Sequence, residues 1–175
     1  MTDPARVADP EAVARRLPKG SAIVFRAFGA ADAVERGLRL ATIARRRGLV
    51  LLAGADPALA RAIGAQGVHL PERLGHLAGR IRLGQRDWIV TAAAHDARAV
   101  SRGLKAGADA VVISPVFESR SPSAGRPLGP LRFAALARLA RGRVYALGGV
   151  DAASVGRLLG SGAMGIAAVD GLTRP

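Results

Sequence analysis

The 175-residue sequence has no cysteine and few aromatic residues, with one Trp, one Tyr and four Phe. Without thiols it can form no disulfide framework, thiolate metal site or cysteine nucleophile. Lysine is nearly absent as well. Only Lys19 and Lys105 are lysines among 26 basic residues, and the rest are arginine. Long apolar runs are missing, the longest being short and broken by glycine or polar residues, so no membrane-spanning segment is expected. The opening stretch "MTDPARVADP" lacks an apolar signal core, and a cytoplasmic location is the corresponding expectation.

Half of the residues are hydrophobic, and the length suits one domain, residues 1–175, with a sizeable core. The formal net charge of +13 raises the question of a polyanionic partner. The arginines, however, are spread over "ARRL", "ARRRG", "RGLKAG" and "LARLARGR", with no interleaved aromatics. That distribution fits a solvated basic surface, and neither nucleic acid nor membrane is expected as a partner.

Along the chain, strand-like and helix-like segments alternate. Short apolar runs occur at 21–27, 49–54, 67–71, 88–94, 110–117, 143–149 and 164–170. Their continuous hydrophobicity is that of parallel strands covered on both faces. The helical patterns between them often open on Asp or Pro and close on Gly, as at Asp56-Pro57, Asp96 and Asp151. A helix is expected over 151–160, and segment 72–87 carries the weakest pattern, one or two turns before a polar loop. This order predicts an α/β fold, a short (β/α)8 TIM barrel. "MTD" reads as the end of a clipped first strand, and the last helix is clipped after "VDGLTRP".

In such a barrel, function sits where strands meet the loops that follow them. Arg26, His69, His95, the loop 114–129, Gly148-Gly149 and Asp170 occupy those positions, while His76 reads as a surface residue. Gly148 and Gly149, with Gly165 on the next strand, suit a phosphate bound by bare backbone N–H groups beside a helix start. A simple tight turn would use the same glycines. Loop 114–129 is long and rich in Ser, Gly, Pro and Arg. Its Ser119, Ser121 and Ser123 offer hydroxyls, and Arg120 and Arg126 offer forked donors to phosphate. It reads either as a mobile lid over the barrel mouth or as a merely disordered connection. His69 reads equally as a hydrogen-bonded core histidine or a site residue. No carboxylate pair or His/Asp cluster has metal-ligand spacing.

In chain order, "GVHL", "VTAAAHD", "GADAVVISPVFESRS", "PLGP" and "YALGGVDAASVGRLLGSGAMGIAAVDG" resemble the thiamine-phosphate synthase and thiazole tautomerase (TenI-like) superfamily. The resemblance covers about residues 20–172. It implies a (β/α)8 barrel, often dimeric, that joins a pyrimidine pyrophosphate to a thiazole phosphate with magnesium and releases pyrophosphate. By the same resemblance Arg26, His95 and Ser121 fall at catalytic positions. Ser119, Ser121, Gly148 and Gly149 keep the phosphate positions, and Arg126 lies near enough to replace a lysine lost at Pro122.

Other family positions are changed. A second lysine position holds Phe28, an Asn-Asp pair falls at Gly54 and Ala55, and a serine falls at Ala93. The second magnesium aspartate aligns with Leu74, which leaves Asp56 and Glu72 as the nearest carboxylates. The tautomerase histidine aligns near Pro115, and Asp170 replaces a serine. The expected function is therefore that of a thiamine-phosphate-synthase-like protein which binds a phosphorylated small molecule and has weakened magnesium chemistry. Two alternatives stay open. One is a non-catalytic sensor of such a phosphate. The other is a barrel enzyme acting on another heterocycle or sugar phosphate, with His95 or Asp170 as acid or base.

Overall fold

A computed structural model describes residues 1–119, 121 and 125–169. Seven parallel strands form one sheet in sequence order: β1 (Ala22–Phe25), β2 (Val50–Gly54), β3 (Gly67–Leu70), β4 (Ile89–Ala94), β5 (Ala110–Ile113), β6 (Val144–Ala146) and β7 (Gly165–Ile166). Six α-helices are interleaved with them: α1 (Pro10–Arg16), α2 (Ala33–Arg47), α3 (Pro57–Ala62), α4 (Ala78–Gly84), α5 (Ala97–Lys105) and α6 (Gly129–Leu139). This is the expected (β/α)8-type barrel, with seven of its strands among the described residues.

Alternation along each strand sorts the side chains. Ile23, Phe25, Leu51, Ala53, Val68, Leu70, Val90 and Ala92 point outward and are buried with Leu40, Ala41, Ala44, Leu59 and Ile63 of the helices. On the other half of the sheet, Val111, Ile113, Val144 and Ala146 pack with Val100, Phe133 and Ala137. The opposite parity faces the barrel axis, which places Arg26, Gly54, His69, Ala93, Ser114 and Leu147 at the C-terminal mouth. Asp56 and Asp96, read as helix starts, each accept a hydrogen bond from the amide three residues on (Leu59 and Ala99) and cap α3 and α5, as Asp9 does for α1 through the Ala12 amide, whereas Asp151 caps no α-helix.

Three sequence expectations are corrected. The helix expected over 151–160 is only a 3-10 turn, Val155–Leu158. There the Ser154 hydroxyl accepts from the Asp151 amide and donates to the Gly149 carbonyl, while Asp151 Oδ1 accepts from the Ser154 amide. These side-chain bonds favour a turn, and Gly156 and Gly160 add little helix propensity. The weak segment 72–87 does better than expected, forming a 3-10 helix over Glu72–Leu77 and then α4. Residues 1 and 2 belong to no strand, yet they bridge the sheet's two edges. The Thr2 amide donates to Val24 O, Thr2 Oγ1 accepts from the Arg26 amide, and the Met1 amine donates to Ala168 O at 2.7 Å. No described helix is long and apolar enough to cross a membrane.

Candidate functional site

The axis-facing residues at the strand ends open into a cavity of about 1020 Å³ at the mouth of the barrel. Its lining includes Arg26, Asp56, His69, His95, Ser119, Ser121, Gly148 and Gly149. Parallel strands bring these residues to one end of the sheet although they are far apart in sequence.

Arg26 continues β1. Its Nε donates to Thr2 O at 2.7 Å, one terminal nitrogen donates to Asp3 at 3.1 Å, and the guanidinium lies 5.1 Å from the Phe28 ring centre. Burial lowers its pKa, and the neighbouring Asp3 partly offsets this. Phe28 and Ala55, at the ends of β1 and β2, both have left-handed backbone (φ 51° and 62°) and line the cavity. Strain of this kind is often found at functional sites.

After β6 the chain turns at Gly148 (φ 91°) and Gly149 (φ 64°). A Cβ on Gly148 would lie 2.8 Å from Pro115 Cα, and one on Gly149 would lie 2.8 Å from Phe117 Cβ. The Val116 and Phe117 amides donate to the carbonyls of Leu147 and Gly148 at 2.9 Å. The sequence reading, in which these glycines are small to admit a phosphate, is thus incomplete. They are small because the β5 loop lies directly on them, and residues 115–118 are strapped down where a mobile lid was one of two readings. Among the described residues, the amides of Gly148, Gly149 and Val150 have no hydrogen-bond acceptor, and all three residues line the cavity.

Ser119 and Ser121 meet on this side, the Ser121 amide donating to Ser119 Oγ at 3.3 Å. Arg126 is exposed and stands outside the cavity lining. Gly165 is also outside the lining. A Cβ there would lie 3.2 Å from the Tyr145 ring, so the glycine's small size makes room for that ring. Arg120, Ser123, Asp170 and the lost-lysine position Pro122 lie outside the described residues.

The histidines differ. His69 is buried, with Nδ1 2.9 Å from the Thr91 hydroxyl. Burial first, then Arg26 and the terminal amine, push its pKa down to about 4, so it is neutral near pH 7. His95 is half exposed at the rim, its Nδ1 2.6 Å from Glu72 Oε2, while Glu72 Oε1 accepts from Arg102 at 3.1 Å. His76 is exposed, as expected.

Neither weak metal candidate is placed as a ligand. Asp56 lines the cavity but spends Oδ1 on the Leu59 amide, and Glu72 stands outside the lining with both oxygens bonded. No group of three His, Asp or Glu able to hold a metal occurs among the described residues. Sequence reasoning missed Arg6, Arg73, Glu118 and Asp151, which all line the cavity. Arg73 had a signal in its place just after "GVHLP", whereas Arg6 is brought in by the N-terminal bridge, which no local pattern announces.

Comparison with known proteins identifies the family and the fold. Residues 2–172 match the family model described as thiamine monophosphate synthase. The thiamine-phosphate synthase of Methylococcus capsulatus is 35% identical over 149 residues, which is 81% of this chain and 63% of that protein. That of Chromobacterium violaceum is 36% identical over 142 residues, 79% of this chain and 67% of that protein. That of Halorhodospira halophila is 33% identical over 168 residues, 93% and 79% of the two chains. The chain thus spans less than two thirds of the length of the Methylococcus relative. The solved structure of a thiamine phosphate pyrophosphorylase from Pyrococcus furiosus superposes with a TM-score of 0.80 at 23% identity, covering 96% of this chain and 82% of that one, and so shares its fold.

Proposed function

Because this chain belongs to the thiamine monophosphate synthase family, we propose that its cavity binds a phosphorylated heterocycle of thiamine biosynthesis. The observation that carries this reading is the run of amides at Gly148, Gly149 and Val150, which have no acceptor among the described residues and belong to residues lining the same cavity as Ser119, Ser121 and Arg26. Backbone amides and hydroxyls donate hydrogen bonds to phosphate oxygens, and a guanidinium adds forked donors and charge. The exposed carboxylates of Glu118 and Asp151 share the rim, where water weakens their repulsion.

The reaction implied by the family forms a bond from the thiazole nitrogen lone pair to the pyrimidine methylene carbon. The carbon–oxygen bond to pyrophosphate breaks, and pyrophosphate leaves with that electron pair. What the protein must supply is stabilisation of charge on the leaving group and on the electron-poor methylene. Arg26, Ser121 and those amides can serve the first need, and His95 stands at the rim as a further donor.

Magnesium, which the family implies, does not fit the residues present. The two aligned ligand positions are Ala55 and Leu74, and the carboxylates of Asp56 and Glu72 already accept protein hydrogen bonds. Losing one electrostatic stabiliser typically costs about 2.7–4 kcal/mol in the transition state, roughly 100- to 1000-fold in rate. The reading is therefore a ligand-binding barrel with slow or altered synthase activity. Calorimetry with the thiazole phosphate, followed by an assay of thiamine phosphate formation with and without magnesium, tests it. Binding with weak, metal-insensitive turnover is expected. Absence of binding by any phosphate of the pathway, or full magnesium-dependent turnover, overturns it.

A further inference from the structure

On the floor of the cavity the sheet register sets His69 of β3 opposite Thr91 of β4. Both side chains are buried, and the Thr91 hydroxyl occupies Nδ1 of the imidazole at 2.9 Å. His69 also lines the cavity, so Nε2 is the ring nitrogen it has to offer a ligand. The lining also includes Gly54, Ala93, Leu147 and Ala168, which are small or apolar, and the charged or polar groups that act on His69 are Arg26 and the Met1 amine. The proposed phosphate donors, at Ser119, Ser121 and Gly148–Val150, belong to the loops after β5 and β6.

We propose that His69 is a binding residue for the uncharged, nitrogen-bearing ring of the ligand, and that Thr91 is its positioning residue. This rests on the phosphorylated-heterocycle reading above. An imidazole kept neutral by burial contributes no positive charge to a phosphate. It offers one directional hydrogen bond to a ring nitrogen or an exocyclic amine. Thr91 holds the ring plane and keeps Nδ1 occupied, and because its hydroxyl can either donate or accept, Nε2 is free to take the role that the ligand requires. The small lining residues leave room for a flat ring, so a ligand would lie with its ring inward and its phosphate at the rim.

The test compares inorganic pyrophosphate with the thiazole phosphate and the pyrimidine pyrophosphate, each titrated separately into wild type, His69→Phe, Thr91→Val and Thr91→Ser. His69→Phe and Thr91→Val should weaken the ring-bearing ligand contacting His69 by about 2- to 10-fold and leave inorganic pyrophosphate unchanged. Thr91→Ser should restore wild-type affinity. On wild-type protein, the His69 Nε2 resonance in a 15N spectrum should move with that ligand and stay put with pyrophosphate. This readout does not depend on any variant folding. Equal binding of every ligand by wild type and His69→Phe, parallel loss of all ligands, or an unmoved Nε2 resonance overturns the role of His69. If wild type binds no pathway phosphate at all, the broader reading falls and takes this one with it.

Discussion

Gly149 lies against Glu118 so closely that a methyl group on its Cα would collide with the Glu118 carbonyl oxygen, and it would also come within 2.8 Å of Phe117 Cβ. Two separate costs therefore attach to any side chain there. One is the left-handed backbone at φ 64°, and the other is displacement of the β5 loop. Gly149→Ala should destabilise the protein by about 2–5 kcal/mol, the sum of a left-handed penalty and an overpacking penalty. Urea unfolding measures it. A change below about 1 kcal/mol would mean the loop can lift away without loss.

The neutral His69 makes stability depend on pH. Its pKa is near 4 when folded and near the ordinary 6.5 when unfolded, so between these values the unfolded chain binds more protons. Stability is therefore lost as the pH falls from about 6.5 toward 4, by up to about 3 kcal/mol from this residue. Denaturation of wild type and His69→Phe at pH 7 and pH 5 should show a steeper loss for wild type. Equal losses would show that His69 takes up its proton without opening the fold.

Much of the fold was legible because parallel strands must be apolar on both faces. Each of the seven runs did contain a strand, although some ends were trimmed even at apolar residues, as where β7 stops at Ile166 before residues 167–169. The helix starts at Asp56 and Asp96 were legible for a local reason, since capping involves residues three apart. Segment 151–160 misled because its Ala and Leu content suggests a helix, while the Asp151–Ser154 exchange is a choice between two local hydrogen-bond patterns. At the site, the strand-end rule found Arg26, His69, His95 and the double glycine. It could not find Arg6 or the Met1–Thr2 bridge, which depend on contacts across more than 20 and 160 positions. Nor could it separate Gly165, held by the Tyr145 ring, from the glycines of the cavity.

Arg26 holds the N-terminal bridge and faces the cavity at the same time. Lysine keeps the charge but cannot donate from several fixed directions, so it cannot bond Thr2 O, Asp3 and a phosphate together. Arg26→Lys should weaken phosphate-ligand binding by about 10- to 100-fold, the loss of a hydrogen bond between charged groups. Asp3→Asn, which alters only the partner, should leave binding within a few-fold of wild type. Calorimetry on the two variants separates them, and similar losses from both would place Arg26 in the bridge alone.

Ala55 offers a direct test of the metal reading. It sits in left-handed backbone at φ 62°, its amide donating to His69 O at 2.8 Å, and it lines the cavity. Aspartate tolerates that conformation better than alanine does. Ala55→Asp should therefore fold at little or no cost and add a carboxylate near Asp56, where hard oxygen ligands are scarce. In wild type, a chelator should leave the affinity for the thiazole phosphate unchanged. In Ala55→Asp, magnesium should tighten pyrophosphate binding measurably beyond its effect on wild type, because protein and pyrophosphate oxygens can then share the ion. Wild type whose affinity for the thiazole phosphate collapses on chelation would mean that Asp56 or Glu72 gives up its present hydrogen bonds to hold the metal.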